Sequence, residues 1–308
     1  MKVLKILSIV LLSILGLAAI LLYRPNIEVE KLQESYFLPS SAWLDWEGMK
    51  VHYSVEGNGP PLVLIHGTFS SLHTWDEWAA KLQNDFTIIR MDLLGFGLSG
   101  PHPNHDYSPE AYSRLVIALL DHLQISSCYM AGNSLGGLIT WSTAVNYPDR
   151  VDKMILLNAS GIPKQSRDRP WIFDLASNKT FGKALSKFTP RPLFKMNMEQ
   201  VYFDKSKMTN ELIDRYYYLL RRKGNREAFI VKSGRNYPLP PAQKLAELGI
   251  PTLIMWGRHD QWIPYTDAFE FKKLIQNSQL IIYENAGHVP MEEIPTESAL
   301  DAKNFLTY

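Results

Sequence analysis

The sequence predicts an α/β domain with a mostly parallel central sheet, interrupted in its second half by a helical insertion. Three observations carry that expectation. Short apolar runs alternate with amphipathic stretches from residue 42 to 161 and again from residue 251 onward, the rhythm of strands joined by crossover helices. Between residues 161 and 239 no strand returns at the expected interval, and the chain is rich in Lys, Arg, Phe and Tyr instead. The 308 residues are 46% hydrophobic and 20% charged, ordinary globular usage that excludes a disordered or fibrous chain.

The first element is an uncharged run of 17 residues, Ile6 to Leu22, preceded by Lys2 and Lys5. As a helix it spans roughly 26 Å, near the ~30 Å hydrocarbon core of a bilayer. With the two lysines ahead of it, the run is expected to be an uncleaved single-pass anchor over residues 1–23. The N-terminus would then lie inside and the rest of the chain outside the cytoplasm. A cleaved signal peptide is the competing expectation, but its apolar stretch is normally ~7–15 residues. Here large aliphatics and Tyr23 follow Gly16-Leu17-Ala18. Residues 24–41 are polar and mixed and read as a linker.

Strands are expected at 42–47 and 50–55, a hairpin around Gly48, then at 62–65, 86–91, 127–131 and 153–158. The helices between them are expected at 72–82, at 109–123 with Ser108 as cap, and at 135–146. Beyond the insertion, strands at 251–256 and 279–283 alternate with helices at 266–275 and 296–305. The chain thus divides into a core of residues 42–161 and 240–308 around an insertion of residues 162–239.

Gly132-Asn133-Ser134-Leu135-Gly136 fits G-x-S-x-G between an apolar strand and a helix start. A sharp strand-to-helix turn leaves little room beside the serine, which is why glycines flank it. The turn lifts Ser134 Oγ clear of the sheet at a helix N-terminus, where developing negative charge is favoured. Alone, the pentapeptide could be a small-residue turn. A nucleophilic serine also needs a base, and an acid to orient that base. At this kind of turn they follow in the order serine, acid, histidine. Asp260 stands just past the strand at 251–256, and His288 just past the strand at 279–283. Both positions fall on the carboxyl edge of the sheet, where α/β sites are built. Glu284 and Glu292 are the next acids in line. His259 is expected to be a loop residue, and His52, His73, His102, His105 and His122 to be structural or solvated. His66-Gly67-Thr68-Phe69 follows the strand at 62–65. The amides of Thr68 and Leu135 are candidate oxyanion donors, each worth about 3–4 kcal/mol in acyl transfer, and His66 is expected to stabilise the loop.

In order and spacing these pieces resemble the α/β-hydrolase superfamily, in its esterase- and lipase-like serine hydrolases, from residue 42 to the C-terminus. The matching residues are His66-Gly67, Asp92 with Gly95-Phe96-Gly97-Leu98-Ser99, the elbow at 132–136, Asp260, and Gly287-His288-Val289-Pro290 with Glu293 and Pro295. The resemblance implies a Ser134–His288–Asp260 triad, an oxyanion hole from Thr68 and Leu135, and a helical cap over the site. Epoxide hydrolases and haloalkane dehalogenases are similar but carry aspartate at the elbow, so Ser134 argues against both. The implied activity is cleavage of carboxylic esters, with an apolar or lipid-like small molecule as partner. The elbow with Gly137 also looks like that of hydrolases cleaving a carbon–carbon bond in vinylogous diketone acids. A non-catalytic binding protein on the same fold is a third reading, opposed by the intact triad.

Other signals narrow the field. The net charge of +1 offers no global attraction for nucleic acid. The lone Cys128 cannot form an internal disulfide or a Cys-rich metal site. Gly95 to Gly100 spells G-x-G-x-x-G, but Pro101 and Pro103 follow where a dinucleotide-binding helix would begin. His102, His105 and Asp106 share a proline-bearing loop and read as solvated residues rather than metal ligands. No cofactor and no metal are expected. From Lys164 to Arg235 there are 17 Lys+Arg against 7 Asp+Glu, a local +10, interleaved with aromatic residues. This suits either a cap with its aromatics lining a pocket or a surface drawn to anionic lipid.

Overall fold

The computed structural model describes residues 2–162 and 170–308. A first helix, α1 (Lys2–Leu22), leads the chain. The expected membrane span is corrected here. Among the described residues no helix is long and apolar enough to cross a membrane. Lysines occupy the first turns of α1 and leave an uncharged stretch of 17 residues, at the short end of what crosses a bilayer. The single-pass topology, with the N-terminus inside and the rest outside the cytoplasm, therefore lacks its spanning element.

The stretch expected as a polar linker contains α2 (Val29–Tyr36), which buries Leu32 against Leu98 and Leu219. The strands follow closely the expected order: β1 (Ser41–Trp46), β2 (Met49–Gly57) and β3 (Pro61–Ile65). A short 3₁₀ turn at Leu72–Trp75 then leads into α3 (Asp76–Leu82), β4 (Thr87–Met91) and α4 (Pro109–His122). The Ser108 side chain accepts from the Ala111 amide at 3.1 Å to start α4. Then come β5 (Cys128–Asn133), α5 (Leu135–Asn146) and β6 (Val151–Leu157).

The eight strands order as β1-β2-β4-β3-β5-β6, continued by β7 (Thr252–Gly257) and β8 (Ser278–Tyr283). β1 and β2 pair antiparallel, as do β2 and β4, and every other neighbouring pair is parallel. Leu62, Val63, Leu64, Ile65, Ile88 and Ile89 are fully buried, as expected for strands covered on both faces. The order reverses at β3, which lies between β4 and β5. Such a reversal opens a crevice at the carboxyl ends of the strands, and the 66–69 loop and the 132–136 elbow flank it.

Between β6 and β7 lie α6 (Trp171–Ser177), α7 (Lys179–Leu185), α8 (Arg191–Met198), α9 (Asn210–Leu220) and α10 (Asn225–Ser233). The chain returns to the sheet and ends with α11 (Thr266–Leu274), α12 (Pro290–Glu293) and α13 (Pro295–Thr307). The helical segment also holds the amino end. Arg24 N donates to Lys187 O, Ile27 N to Arg221 O and Lys223 N to Ile27 O, all at 2.8 Å.

Candidate active site

Ser134 stands between β5 and α5 with φ 56° and ψ −115°. That is a left-handed φ for a residue with a side chain, held only where the surroundings over-determine it. Its amide donates to Leu157 O at 3.0 Å, and its carbonyl accepts from Ser160 N at 3.0 Å and Ser160 Oγ at 3.1 Å. The turn needs glycine close by. A Cβ at Gly136 would lie 2.0 Å from the carbonyl oxygen of Ile65.

Asp260 and His288, expected from two separate strand ends, meet. His288 Nδ1 donates to Asp260 Oδ2 at 2.7 Å, with both residues buried. Asp260 Oδ1 accepts from the amides of Trp262 at 2.8 Å and Ile263 at 2.9 Å. His288 Nε2 is buried and has no hydrogen-bond partner, so the bond between Ser134 and His288 is not closed in this structure. Catalytic hydrogen bonds often tighten only when substrate is bound. The elbow and the histidine loop are nonetheless tied together. The Asn133 side-chain amide donates to His288 O at 2.9 Å.

The roles of several supporting residues were not evident in the sequence. Asn158, just past β6 at φ 45°, donates its amide to Asp260 Oδ2 at 2.7 Å and to Gly287 O at 3.3 Å. Its place beyond a strand end on the same sheet edge is the signal that could have found it. Glu293 accepts from Gly287 N at 2.6 Å through Oε1, and from the amides of Phe203 and Asp204 at 2.8 and 3.1 Å through Oε2. Burial pushes the Glu293 carboxyl above the usual range despite those donors. One carboxylate thus joins the histidine loop to the helical segment, where His288 N also donates to Val201 O at 2.8 Å.

The reserve acids are occupied elsewhere. Glu284 is exposed and pairs with Arg258. Glu292 is held by Arg215 Nη2 at 3.0 Å, by Tyr216 OH and by Tyr202 OH. Burial raises its carboxyl above the ordinary value, against the pull of Arg215. Tyr216 OH also lies 3.2 Å from Ser70 Oγ, on the loop after β3. The same Arg215 reaches Asp76 at 3.4 Å.

In that loop Thr68 is half-buried and Phe69 adopts φ 66°. A Cβ on Gly67 would come within 3.1 Å of Ser134 Cβ, so the loop abuts the elbow closely. His66 is fully buried, accepts from Leu93 N at 3.0 Å through Nε2 and faces Gly67 O at 2.7 Å through Nδ1. Burial lowers its pKa to about 4, so the ring is a neutral structural tie. Aromatic side chains line the approach. Trp262 lies 5.5 Å from His288, and Phe173 lies 5.7 Å from Trp262 and 5.4 Å from Phe229.

The remaining candidates take structural places. His259 stacks on Phe203 at 3.9 Å. His52 Nδ1 bonds Asp92 Oδ2 at 2.7 Å. Burial works against ionisation of Asp92, but His52 and amide donors outweigh it and hold the carboxyl at about 2. His102, expected to be solvated, is buried and bonds Glu47 Oε2 at 3.2 Å. Among the described residues no group of three His, Cys, Asp or Glu side chains could hold a metal ion. Cys128 is buried in β5, and burial drives its thiol up to about 12.

Comparison with known proteins agrees with this architecture. A family model of the alpha/beta hydrolase fold matches residues 60–295. A 2-hydroxy-6-oxo-2,4-heptadienoate hydrolase of Pseudomonas putida is 27% identical over 255 residues, covering 78% of this chain and 87% of that protein. Lipase 1 of Psychrobacter immobilis is 30% identical over 271 residues, covering 84% and 81% respectively. Among solved structures, a bacterial membrane phospholipase A superposes with a TM-score of 0.75 at 21% identity, covering 100% of this chain and 98% of that one. At that identity the likeness speaks for the fold alone. Sheet order, elbow and family match converge, and the chain belongs to the alpha/beta hydrolase family.

Proposed function

We propose that the protein hydrolyses carboxylic esters through an acyl-enzyme formed on Ser134. The observation that carries this reading is His288, which offers one ring nitrogen to Asp260 and keeps the other buried and unpartnered. In this scheme Ser134 Oγ attacks the ester carbonyl while His288 Nε2 takes its proton. The tetrahedral oxyanion is met by the amides of Thr68 and Leu135. Collapse expels the alcohol, which receives the proton from His288. Water then repeats the sequence on the acyl-enzyme and releases the acid. Asp260 fixes the tautomer with Nδ1 protonated and stabilises the imidazolium. Residues 162–239 act as the cap, and its aromatic residues with Phe69 and Trp262 suit an apolar acyl group beside the ester. The core is formed by residues 42–161 and 240–308.

The test is active-site labelling with a fluorophosphonate. Labelling at Ser134, lost in Ser134→Ala with the fold retained, is the expected result. Labelling that persists in that variant would overturn the assignment.

A second reading, cleavage of a carbon–carbon bond, is supported by the Pseudomonas putida relative, which is named as a hydrolase of 2-hydroxy-6-oxo-2,4-heptadienoate, a vinylogous diketone acid. The same serine machinery serves both reactions. A screen of short and long alkyl esters beside a vinylogous diketone acid separates them. Turnover of the diketone acid alone would favour carbon–carbon cleavage.

A further inference from the structure

Thr68 sits inside a tight turn. Ser70 N donates to Gly67 O at 3.3 Å, which makes Thr68 and Phe69 the central pair of a β-turn. Phe69 takes φ 66° at the second central position, where glycine is usual. The same Gly67 carbonyl faces His66 Nδ1 at 2.7 Å. A Cβ on Gly67 would lie 3.1 Å from Ser134 Cβ, so any shift of this turn is a shift beside the nucleophile.

Those two bonds come from the core. A third hold on the turn comes from the inserted helices. The buried Ser70 Oγ donates to Tyr216 OH, on α9, at 3.2 Å. Its other acceptor, the adjacent Ser71 carbonyl, is farther away at 3.4 Å. Tyr216 OH in turn lies 3.1 and 3.0 Å from the two carboxylate oxygens of Glu292, on α12 just beyond His288.

The protons in this cluster can be assigned. An ionised carboxylate only accepts, so the phenol proton goes to Glu292. The phenol oxygen is then left to accept from Ser70 and from Thr74 Oγ1, 3.3 Å away. Glu292 is itself fixed by Arg215 Nη2 at 3.0 Å and by Tyr202 OH. One hydroxyl therefore stands where the turn, the helix after His288 and the inserted helices meet.

We propose that Tyr216 is a positioning residue for the reaction. Its hydroxyl holds the turn that carries the Thr68 amide, so that this oxyanion donor is in register with Ser134 only while α9 is seated on the core. The proposal rests on the ester-hydrolase reading above, in which the Thr68 amide meets the oxyanion. The inserted helices then complete the catalytic geometry as well as covering it.

The test is hydrolysis of para-nitrophenyl butanoate by the full chain, with inhibition by a linear alkyl trifluoromethyl ketone, whose serine adduct carries the oxyanion. Tyr216→Phe keeps the ring and removes the hydroxyl. Its kcat should fall about tenfold to a hundredfold, the scale of a misplaced reacting group. KM should stay within about twofold, and Ki for the ketone should rise by a factor similar to the fall in kcat. Ser70→Ala should behave alike, and combining the two should add little to either alone. Ser70→Ala decides the matter if Tyr216→Phe does not fold. Tyr217→Phe is the control, because it deletes a neighbouring phenol bond of α9, to Thr189 O at 2.8 Å, and should keep kcat and Ki. An unchanged kcat in Tyr216→Phe, a change confined to KM, losses that multiply in the double variant, or an equal loss in Tyr217→Phe overturns the positioning role. Fluorophosphonate labelling of Ser134 in the unaltered chain would still uphold the serine hydrolase. Absence of ester turnover by the unaltered chain overturns the ester reading and the positioning role together.

Discussion

Asn158 and His288 share one oxygen of Asp260. Each donates to Oδ2 at 2.7 Å, the amide from the end of β6 and the ring from the loop after β8. Asn158 therefore sets the angle at which the carboxylate meets the imidazole. Replacing it with Ala should lower kcat about tenfold to a hundredfold and leave KM nearly unchanged, as expected when a group orienting a reacting residue is lost. Steady-state kinetics on the best ester checks this. Equal changes in kcat and KM would argue for a role in binding.

Asp260→Asn should preserve the fold and lower kcat by up to the order of 10⁴, the scale seen when a serine protease loses its acid. His288→Ala should cost at least as much. Near-normal activity in Asp260→Asn would send attention to other acids, although Glu284 and Glu292 are both engaged with arginines.

The Glu293 carboxylate accepts three amides, one from the histidine loop and two from the helical segment. Glu293→Gln places an N–H where acceptors are required. A loss of roughly 1–3 kcal/mol is expected for a buried group left unsatisfied. Urea titration of both proteins measures it, and an unchanged midpoint would contradict the arrangement.

Most of the core was legible because each of its elements is dictated by a local pattern. The helix at 135–146 was placed to the residue, since Ser134 must end a strand and begin a helix. Asp260 and His288 could be paired in advance because both follow strands whose ends share an edge. Asn158 carries no such signature, as a single asparagine after an apolar strand is ordinary. The roles of Val201 and Tyr216 depend on how the inserted helices fold back, which no periodicity within them specifies. Residues 24–41 misled for a related reason. Their polar composition hides one buried leucine, Leu32, and a set of backbone bonds to distant partners.

Arg215 is the cation closest to the buried Glu292 carboxylate. Arg215→Met should destabilise the protein by about 3–5 kcal/mol at neutral pH, the usual consequence of stranding a buried charge. Burial already holds the Glu292 pKa above its ordinary 4.5, so acidification neutralises it and the loss should shrink toward pH 5. A chemical-denaturation series at several pH values tests this. A pH-independent difference would mean that Arg215 acts through packing or through its pair with Asp76 rather than through Glu292.

His66 has a folded pKa of about 4 against an ordinary 6.5. Below 6.5 the unfolded chain binds a proton that the folded ring refuses. Its contribution is therefore present above pH 6.5 and is lost as pH falls toward 4. The full loss is about 3 kcal/mol. His66→Gln should flatten the acid limb of the stability profile, and an unchanged slope would sink the assignment.

The backbone bonds between residues 24–27 and the helical segment carry a mechanical consequence. Backbone bonds of Arg24 and Ile27 stitch the amino end to two separate stretches of the helical segment, at Lys187 and at Arg221 to Lys223. The inserted helices are therefore held at a third point besides their two connections to the sheet. They work against a third tether, and lifting them would peel that tether away or drag α2 from its seat on Leu98 and Leu219. Where the chain is shortened becomes a control on opening. A cut before Arg24 leaves the tether whole, whereas a cut beyond Ile27 leaves the inserted helices hanging by two strings instead of three.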